Sequence, residues 1–508
     1  MANMVVGRFI PVNPQRRWWC GGAGLLAAAL LTGCSTFSQY PLGMEQTTLG
    51  PLRTGQATDY ARTFRKRIQG RDKVLFAMEM GRTAQLAGHV EESRTAFEAA
   101  IAATTAQDDK ATISASGAAA QTGALLVNDK AIPYQAPSCE RTLVHHYQAL
   151  NYLALGDLSG AGVEIRRANR EQEEAQQRRA REIYRAQSAE GNGPPEGERD
   201  PALATVYAGL DELAGAVKHS FLNAATFYLS SVVWEMLEEP NDAYIDLKRA
   251  LEIYPDNPHV QRDVIRLGKR LGMREDVADF VRRFPAAAET PPDGARAGKA
   301  RLVVIYEEGL VPPKSEVALP YPLPSSGAIG MIALPTYATK APPAMPLPVA
   351  VDGTELGRTA PICDLGALAA RALEEKMPGI LARQITRAIA KGAAAYAVDN
   401  HRHDARDHRR RSGPYRQEVV DADDLGVMLI TLFNLFSEQA DLRSWLTLPA
   451  HMHVFSGWVE PGARQVALGP APNQPAWTGP VTFSEGKTTI LVVSRIDLAV
   501  YSMIIMQP

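Results

Sequence analysis

One residue spacing recurs across the first half of this chain, and it restricts that half to stacked helix pairs. In AQLAGHVEESRTAFEAAI the set is Ala84, Gly88, Ser93, Phe97 and Ala100. In ALNYLALGDLSGAGVEIRRA it is Ala149, Tyr152, Gly156, Ala161, Ile165 and Ala168. In WEMLEEPNDAYIDLKRALEIYPDNP it is Trp234, Ala243, Leu247, Ala250 and Pro255. A small residue lets two helices touch, and a large apolar residue four positions on lies on the same face. Another alanine follows three later, and a proline stops the second helix. Gly88 and Gly156 supply the positive φ that a tight helix-to-helix turn requires. Val260 to Phe284 reads as a fourth pair, with Gly272 at its turn. Helical patterning starts near Asp59 and ends near Phe284.

These sets resemble the second half of a tetratricopeptide repeat, whose period is about 34 residues. A generic bundle of alanine-rich antiparallel helices gives similar spacing. The copies are separated by inserts near 105–135 and 172–200. The second insert begins as a charged helix and ends in a polar, disordered loop.

Beyond the Pro- and Ala-rich residues 286–300 the period changes. Leu302 to Tyr306 is a short β-branched run bounded by glycines. Glu316 to Leu319, Ala328 to Leu334 and Leu347 to Val351 follow in a proline-dense stretch that suits edge strands. A helix starts after Asp364, a candidate N-cap, with Leu365, Leu368, Ala372 and Leu373 on one face. Pro378 then breaks it or opens a second helix carrying Leu381, Ile385, Ala388 and Ile389. Another helix is expected over Asp424 to Gln439. Met452 to Val459, Gln465 to Leu468, Thr488 to Val493 and Ala499 to Ile505 complete the strands. The fold class is α+β and multidomain: an N-terminal TPR-like α-helical solenoid, then a compact β-rich domain with inserted helices.

Ahead of both lies Leu31-Thr32-Gly33-Cys34, closing the apolar run Leu25–Leu31 behind Arg16 and Arg17. A positive start, an apolar middle and a small residue before the cut make a secretory signal. A cysteine just after it resembles the lipobox of bacterial lipoproteins. That resemblance implies cleavage between Gly33 and Cys34, and acyl chains on the Cys34 sulfur and its new amino group. The run is shorter than the ~20 residues of a spanning helix, so the lipids anchor a chain that does not span the membrane. Ser35 is not the aspartate of inner-membrane retention, which implies the outer membrane, periplasmic side. The divisions are therefore 1–33 signal peptide, 34–60 flexible tether, 61–285 repeat domain, 286–300 linker and 301–508 β-rich domain.

The 508-residue chain has a formal net charge of -2, which gives no case for nucleic acid. Of its 4 cysteines, Cys139 and Cys363 remain once Cys20 leaves and Cys34 is acylated. An exported compartment permits a disulfide between them; two buried thiols is the simpler reading. No cofactor is implied. There is no Gly-x-Ser-x-Gly elbow, no complete phosphate loop and no obvious carboxylate pair, so no catalytic residue is assigned.

Three constellations remain. NHRHDARDHRRRSGP holds His401, His403 and His408 among five arginines, including Arg402, Arg409, Arg410 and Arg411. It reads as an exposed basic loop that suits an anionic partner, such as a lipid headgroup or a glycan, better than a metal ion. His451 and His453 alternate on a strand and share a face, read as a polar one. Glu140, Arg141, Glu164, Arg166 and Arg167 sit on the repeats. Glu164 and Arg167 can pair across one turn while Arg166 points elsewhere. Such charges either lock neighbouring repeats or line a concave binding surface.

The lipobox, Glu140-Arg141, ALNYLALGD (149–157), VEIRRAN (163–169), VVIYEEGLVPPK (303–314) and DLRSWLTLP (441–449) together resemble one family. It comprises proteobacterial TPR-like envelope lipoproteins with a β-rich C-terminal domain. The resemblance implies a role in envelope or peptidoglycan assembly. The concave surface of a solenoid suits a periplasmic or outer-membrane protein partner held in the repeat groove; the alternative is a glycan or lipopolysaccharide bound by the C-terminal domain and the basic 401–411 segment. The resemblance supplies no catalytic residue.

Overall fold

A computed structural model describes residues 40–56, 60–114, 132–188, 201–289, 297–322, 329–410, 439–469 and 477–507. The chain enters through α1 (Tyr40–Met44), a π-helical turn (Glu45–Leu49) and α2 (Gly50–Arg53), then α3 (Tyr60–Phe64). Four antiparallel pairs follow: α4 (Lys73–Leu86) with α5 (Val90–Ser114), and α6 (Ser138–Ala154) with α7 (Leu158–Ser188). After α8 (Pro201–Ala214) come α9 (Ala224–Met236) with α10 (Pro240–Ile253), and α11 (Pro258–Leu271) with α12 (Arg274–Arg283). A short α13 (Pro285–Ala288) closes the helical half. Gly88, Gly156 and Gly272 turn the pairs at φ of 80°, 79° and 74°. In the third pair Glu238 takes φ 62° without being glycine.

The strands are β1 (Ala300–Glu308), β2 (Ser315–Pro322), β3 (Ile329–Thr336), β4 (Pro348–Val351), β5 (Thr354–Arg358) and β6 (Ala360–Asp364). One long helix, α14 (Leu365–Arg410), separates them from β7 (His451–Val459), β8 (Gly462–Leu468), β9 (Trp477–Phe483), β10 (Thr488–Ile496) and β11 (Ala499–Met506). A five-stranded sheet runs β11-β10-β1-β7-β6, with β1 and β10 parallel and the other pairs antiparallel. A four-stranded sheet runs β5-β4-β8-β9, and β2 pairs with β3 alone.

β1 explains the layering. Val303 and Ile305 face the solenoid, packing with Val74, Leu143 and Tyr147 in one cluster. Leu302, Val304 and Tyr306 face the second sheet, against Val349, Val466 and Phe483. A strand buried on both faces reads as an uninterrupted apolar run, which is what LVVIY is. The result is three layers: helix pairs, five-stranded sheet, four-stranded sheet. The helical and β-rich halves share a core rather than flanking a linker.

Two readings of the sequence need correction. The flexible tether over 34–60 is helical from Tyr40 to Arg53, and Met44, Leu49 and Leu52 are buried against Phe64, Leu86, Leu446 and Ile496. Pro378 does not break its helix. α14 runs through it, because Ala370, Leu373, Met377 and Leu381 on either side share one buried face. Asp364 does cap the start, its Oδ1 accepting from the Ala367 N–H at 2.8 Å. The expected helix over 424–439 lies outside the described residues, save for its last position.

Candidate functional site

The first helix of each pair turns polar groups, not only apolar ones, toward the β-rich half. Arg82 on α4 is fully buried, ion-paired with Glu307 of β1, with its guanidinium 4.3 Å from the Tyr147 ring centroid. Tyr147 donates to the other Glu307 oxygen at 2.9 Å, and Ser494 of β10 also donates to Glu307. Further along, Arg301 of β1 reaches Glu235 and Asp263, both at 2.7 Å, and Arg266 joins the same two carboxylates. Burial alone would raise Asp263, but Arg301 and Arg266 outweigh it and hold this carboxyl well below its usual range. Asn257 donates to the carbonyls of Ala360 and Pro361 on β6. The inner face of the solenoid is thus bonded to the chain's own sheet along its length. The groove expected to hold a partner is occupied by β1, β7 and β10.

A strip over 440–450 seals the same side. Glu79, fully buried, accepts from the Leu446 and Thr447 N–H groups at 2.7 and 3.2 Å, from the Thr447 hydroxyl and from Tyr40. Burial raises its carboxyl to about 7, against the pull of those hydrogen bonds. Arg443 in the strip pairs with Asp72 and Asp441 at 2.6 and 2.7 Å.

Where this strip, α6 and α14 meet, a recess of about 650 Å³ opens. That lies within the span of ordinary small-ligand sites. Its floor is apolar and buried: Leu143, Val311, Leu365, Leu368 and Leu448. Charges of both signs stand around it, with Lys314, Lys376 and Arg383 on one hand and Glu140, Glu375 and Asp441 on the other. Lys376 is exposed at the mouth, and Lys314 is half-buried with its amine donating to the Arg443 carbonyl at 2.9 Å. Burial pushes the Lys314 amine below its usual range, although Asp441 and Glu140 oppose this. Glu140 is held by Tyr134 at 2.6 Å and by the Trp445 N–H at 3.1 Å, and burial raises its carboxyl. Such a recess can hold an apolar group and satisfy charged or polar groups around it.

The residues singled out from sequence are distributed unevenly. Glu140 lines the recess. Arg141 points away and clamps α6 to its neighbours, 2.8 Å from Asp108 and 3.0 Å from Glu171. Glu164 accepts from Arg167 at 2.6 Å and lies 2.7 Å from His145 Nδ1. Arg166 stacks 4.6 Å from the Trp234 ring centroid, joining two pairs. Arg402, Arg409 and Arg410 belong to the last turns of α14, so their segment is helix rather than loop. Arg411, Gly33 and Cys34 lie outside the described residues.

His451 and His453 do not face solvent. β7 is an inner strand, so His453 is fully buried, with Nε2 3.2 Å from Glu308, while His451 Nε2 lies 2.7 Å from the Pro342 carbonyl. Cys139 and Cys363 are buried free thiols, and burial pushes Cys139 up to about 12. Among the described residues no group of three or more His, Cys, Asp or Glu could hold a metal ion. No helix among them is long and apolar enough to cross a membrane.

Sequence reasoning missed Lys314, Lys376, Asp441 and Arg443 as members of one site. Lys314 and the strip lie in VVIYEEGLVPPK and DLRSWLTLP, which carried the family resemblance without suggesting that they meet. No family model matches the chain, and no curated protein matches it. Two crystal structures of MamA align at 10% identity, with TM-scores of 0.25 and 0.26. They cover 46% and 50% of this chain and 91% and 93% of their own. At that score the likeness carries no inference about fold or role.

Proposed function

We propose that this is a lipid-anchored envelope protein that holds a segment of a partner protein in the junction recess, an adaptor rather than an enzyme. The observation that carries this reading is the recess itself. Solenoid, strip and α14 build it jointly, with an apolar floor and charges of both signs, while the inner face of the repeats is closed by the chain's own sheet. An aliphatic side chain suits the floor, and the polar groups of a peptide suit the surrounding Lys, Arg, Glu and Asp. Acylation at Cys34 fixes the body beside the outer membrane, on its periplasmic side, where envelope assembly takes place. Two or more acyl chains make such attachment stable.

Two measurements test the proposal. A palmitate analogue should label the wild type and spare Cys34→Ala; unlabelled protein in both cases would remove the anchor. Co-purification from solubilised envelopes should recover a stoichiometric protein partner. Lys376→Glu with Arg383→Glu should weaken that recovery at least about tenfold, since like-charge juxtaposition opposes docking. Partner recovery unaffected by those changes would refute the recess as the site. Retention on peptidoglycan or lipopolysaccharide, lost on changing Arg402, Arg409, Arg410 and Arg411 to Ala, would instead establish a glycan-binding protein.

A further inference from the structure

We infer that the surface built by α1 and the basic segment 60–73 rests on an anionic lipid bilayer. Tyr40, the first described residue, follows Cys34 by six positions. Six residues span at most about 21 Å even when fully extended. Tyr40 therefore lies close to any bilayer that holds the Cys34 acyl chains, which puts α1 and its neighbours near the lipid. This argument rests on the acylation proposed above; the charge argument does not.

Residues 60–73 read YARTFRKRIQGRDK, with Arg62, Arg65, Lys66, Arg67, Arg71 and Lys73 against one carboxylate, Asp72. All six basic residues are exposed, whereas Asp72 is turned inward onto Arg443 at 2.6 Å. Phe64 plugs the segment onto Met44 and Leu49, which places this charge directly beside α1. Glu45, the nearby carboxylate of the entering turn, is paired with Arg53. Arg53 also reaches Asp497 at 3.0 Å, bringing the β10–β11 turn alongside, where Leu498 is 92% exposed. Leu42 of α1 is 62% exposed. Apolar side chains beside a concentrated basic surface, next to an acylated cysteine, meet the physical requirement for seating on an anionic leaflet. Lys and Arg near such a surface each add to binding, and that contribution is screened by salt.

The test uses the chain from residue 34 onward carrying Cys34→Ser, which has no acyl group and keeps every described residue. It should co-sediment with phosphatidylcholine vesicles containing roughly a third phosphatidylglycerol and not with pure phosphatidylcholine; raising salt from about 0.05 to 0.5 M should release it. Arg65→Gln, Lys66→Gln and Lys73→Gln together should weaken binding about a hundredfold, with an unchanged circular dichroism spectrum showing that the fold survives. Leu498→Ser should weaken it further without altering the salt dependence. Equal binding to neutral vesicles, no binding to either, or indifference to the triple change would overturn the inference. Because this protein carries no lipid, those outcomes are separate from a failure of palmitate labelling.

Discussion

At Glu79, burial and hydrogen bonding pull one carboxyl group in opposite directions, and burial prevails: the group is raised from 4.5 to about 7. The folded state therefore prefers the protonated form. Its contribution is full below pH 4.5, declines as pH rises through about 7, and amounts to about 3 kcal/mol across that window. Chemical denaturation at pH 5 and pH 8 should show the wild type losing stability over this range. Glu79→Gln should lose about that much less over the same range; an equal loss would contradict the assignment. The Arg82–Glu307 pair gives a second prediction. Glu307→Gln strands a buried guanidinium and should cost about 3–5 kcal/mol, while replacing both partners by Met and Leu should recover much of it. Additive losses in the double variant would show that the two residues act independently.

At the scale of elements, close approach within the first helix pair is set by Gly81. A Cβ there would lie 2.7 Å from the ring of Phe97, which is itself fully buried. Gly81→Ala should therefore cost about 1–3 kcal/mol in a denaturant titration, the range for overpacking; a neutral result would mean that the two helices are free to part. The repeats were legible in sequence because small and large residues recur at helical spacing on α4 to α12. β1 was legible because burial on both faces leaves no polar interruption. The strands that escaped were masked by exposure, proline or glycine, even where burial alternates as it does in β9. β5 (TELGR) is mostly exposed, β6 (APICD) carries a proline, and β9 (WTGPVTF) holds Gly-Pro. The first helices escaped for a different reason. Met44 and Leu49 are five apart across a π-helical turn, so their shared burial breaks the ordinary 3.6-residue period. The recess was illegible because its walls come from segments some 300 positions apart, brought together only by tertiary docking, as Glu140 and Trp445 are.

For the whole molecule, the decisive fact is that the solenoid and the five-stranded sheet share one core. Residues 40–289 expressed alone should bare the apolar face of α4, α6, α9 and α11 and associate or bind a hydrophobic dye; a monodisperse, cooperatively unfolding fragment would refute the shared core. The same closure removes the repeat groove as a docking surface and leaves the recess beside α14 as the place where we propose a partner docks. A photo-reactive residue at Lys376, at the mouth of the recess, compared in intact cells with one at Lys248 on the outer helix α10, tests this most directly. A discrete protein adduct from position 376 and none from position 248 is the expected result. An adduct from position 248 alone, or none from 376 in a protein that is correctly folded and anchored, would contradict the account.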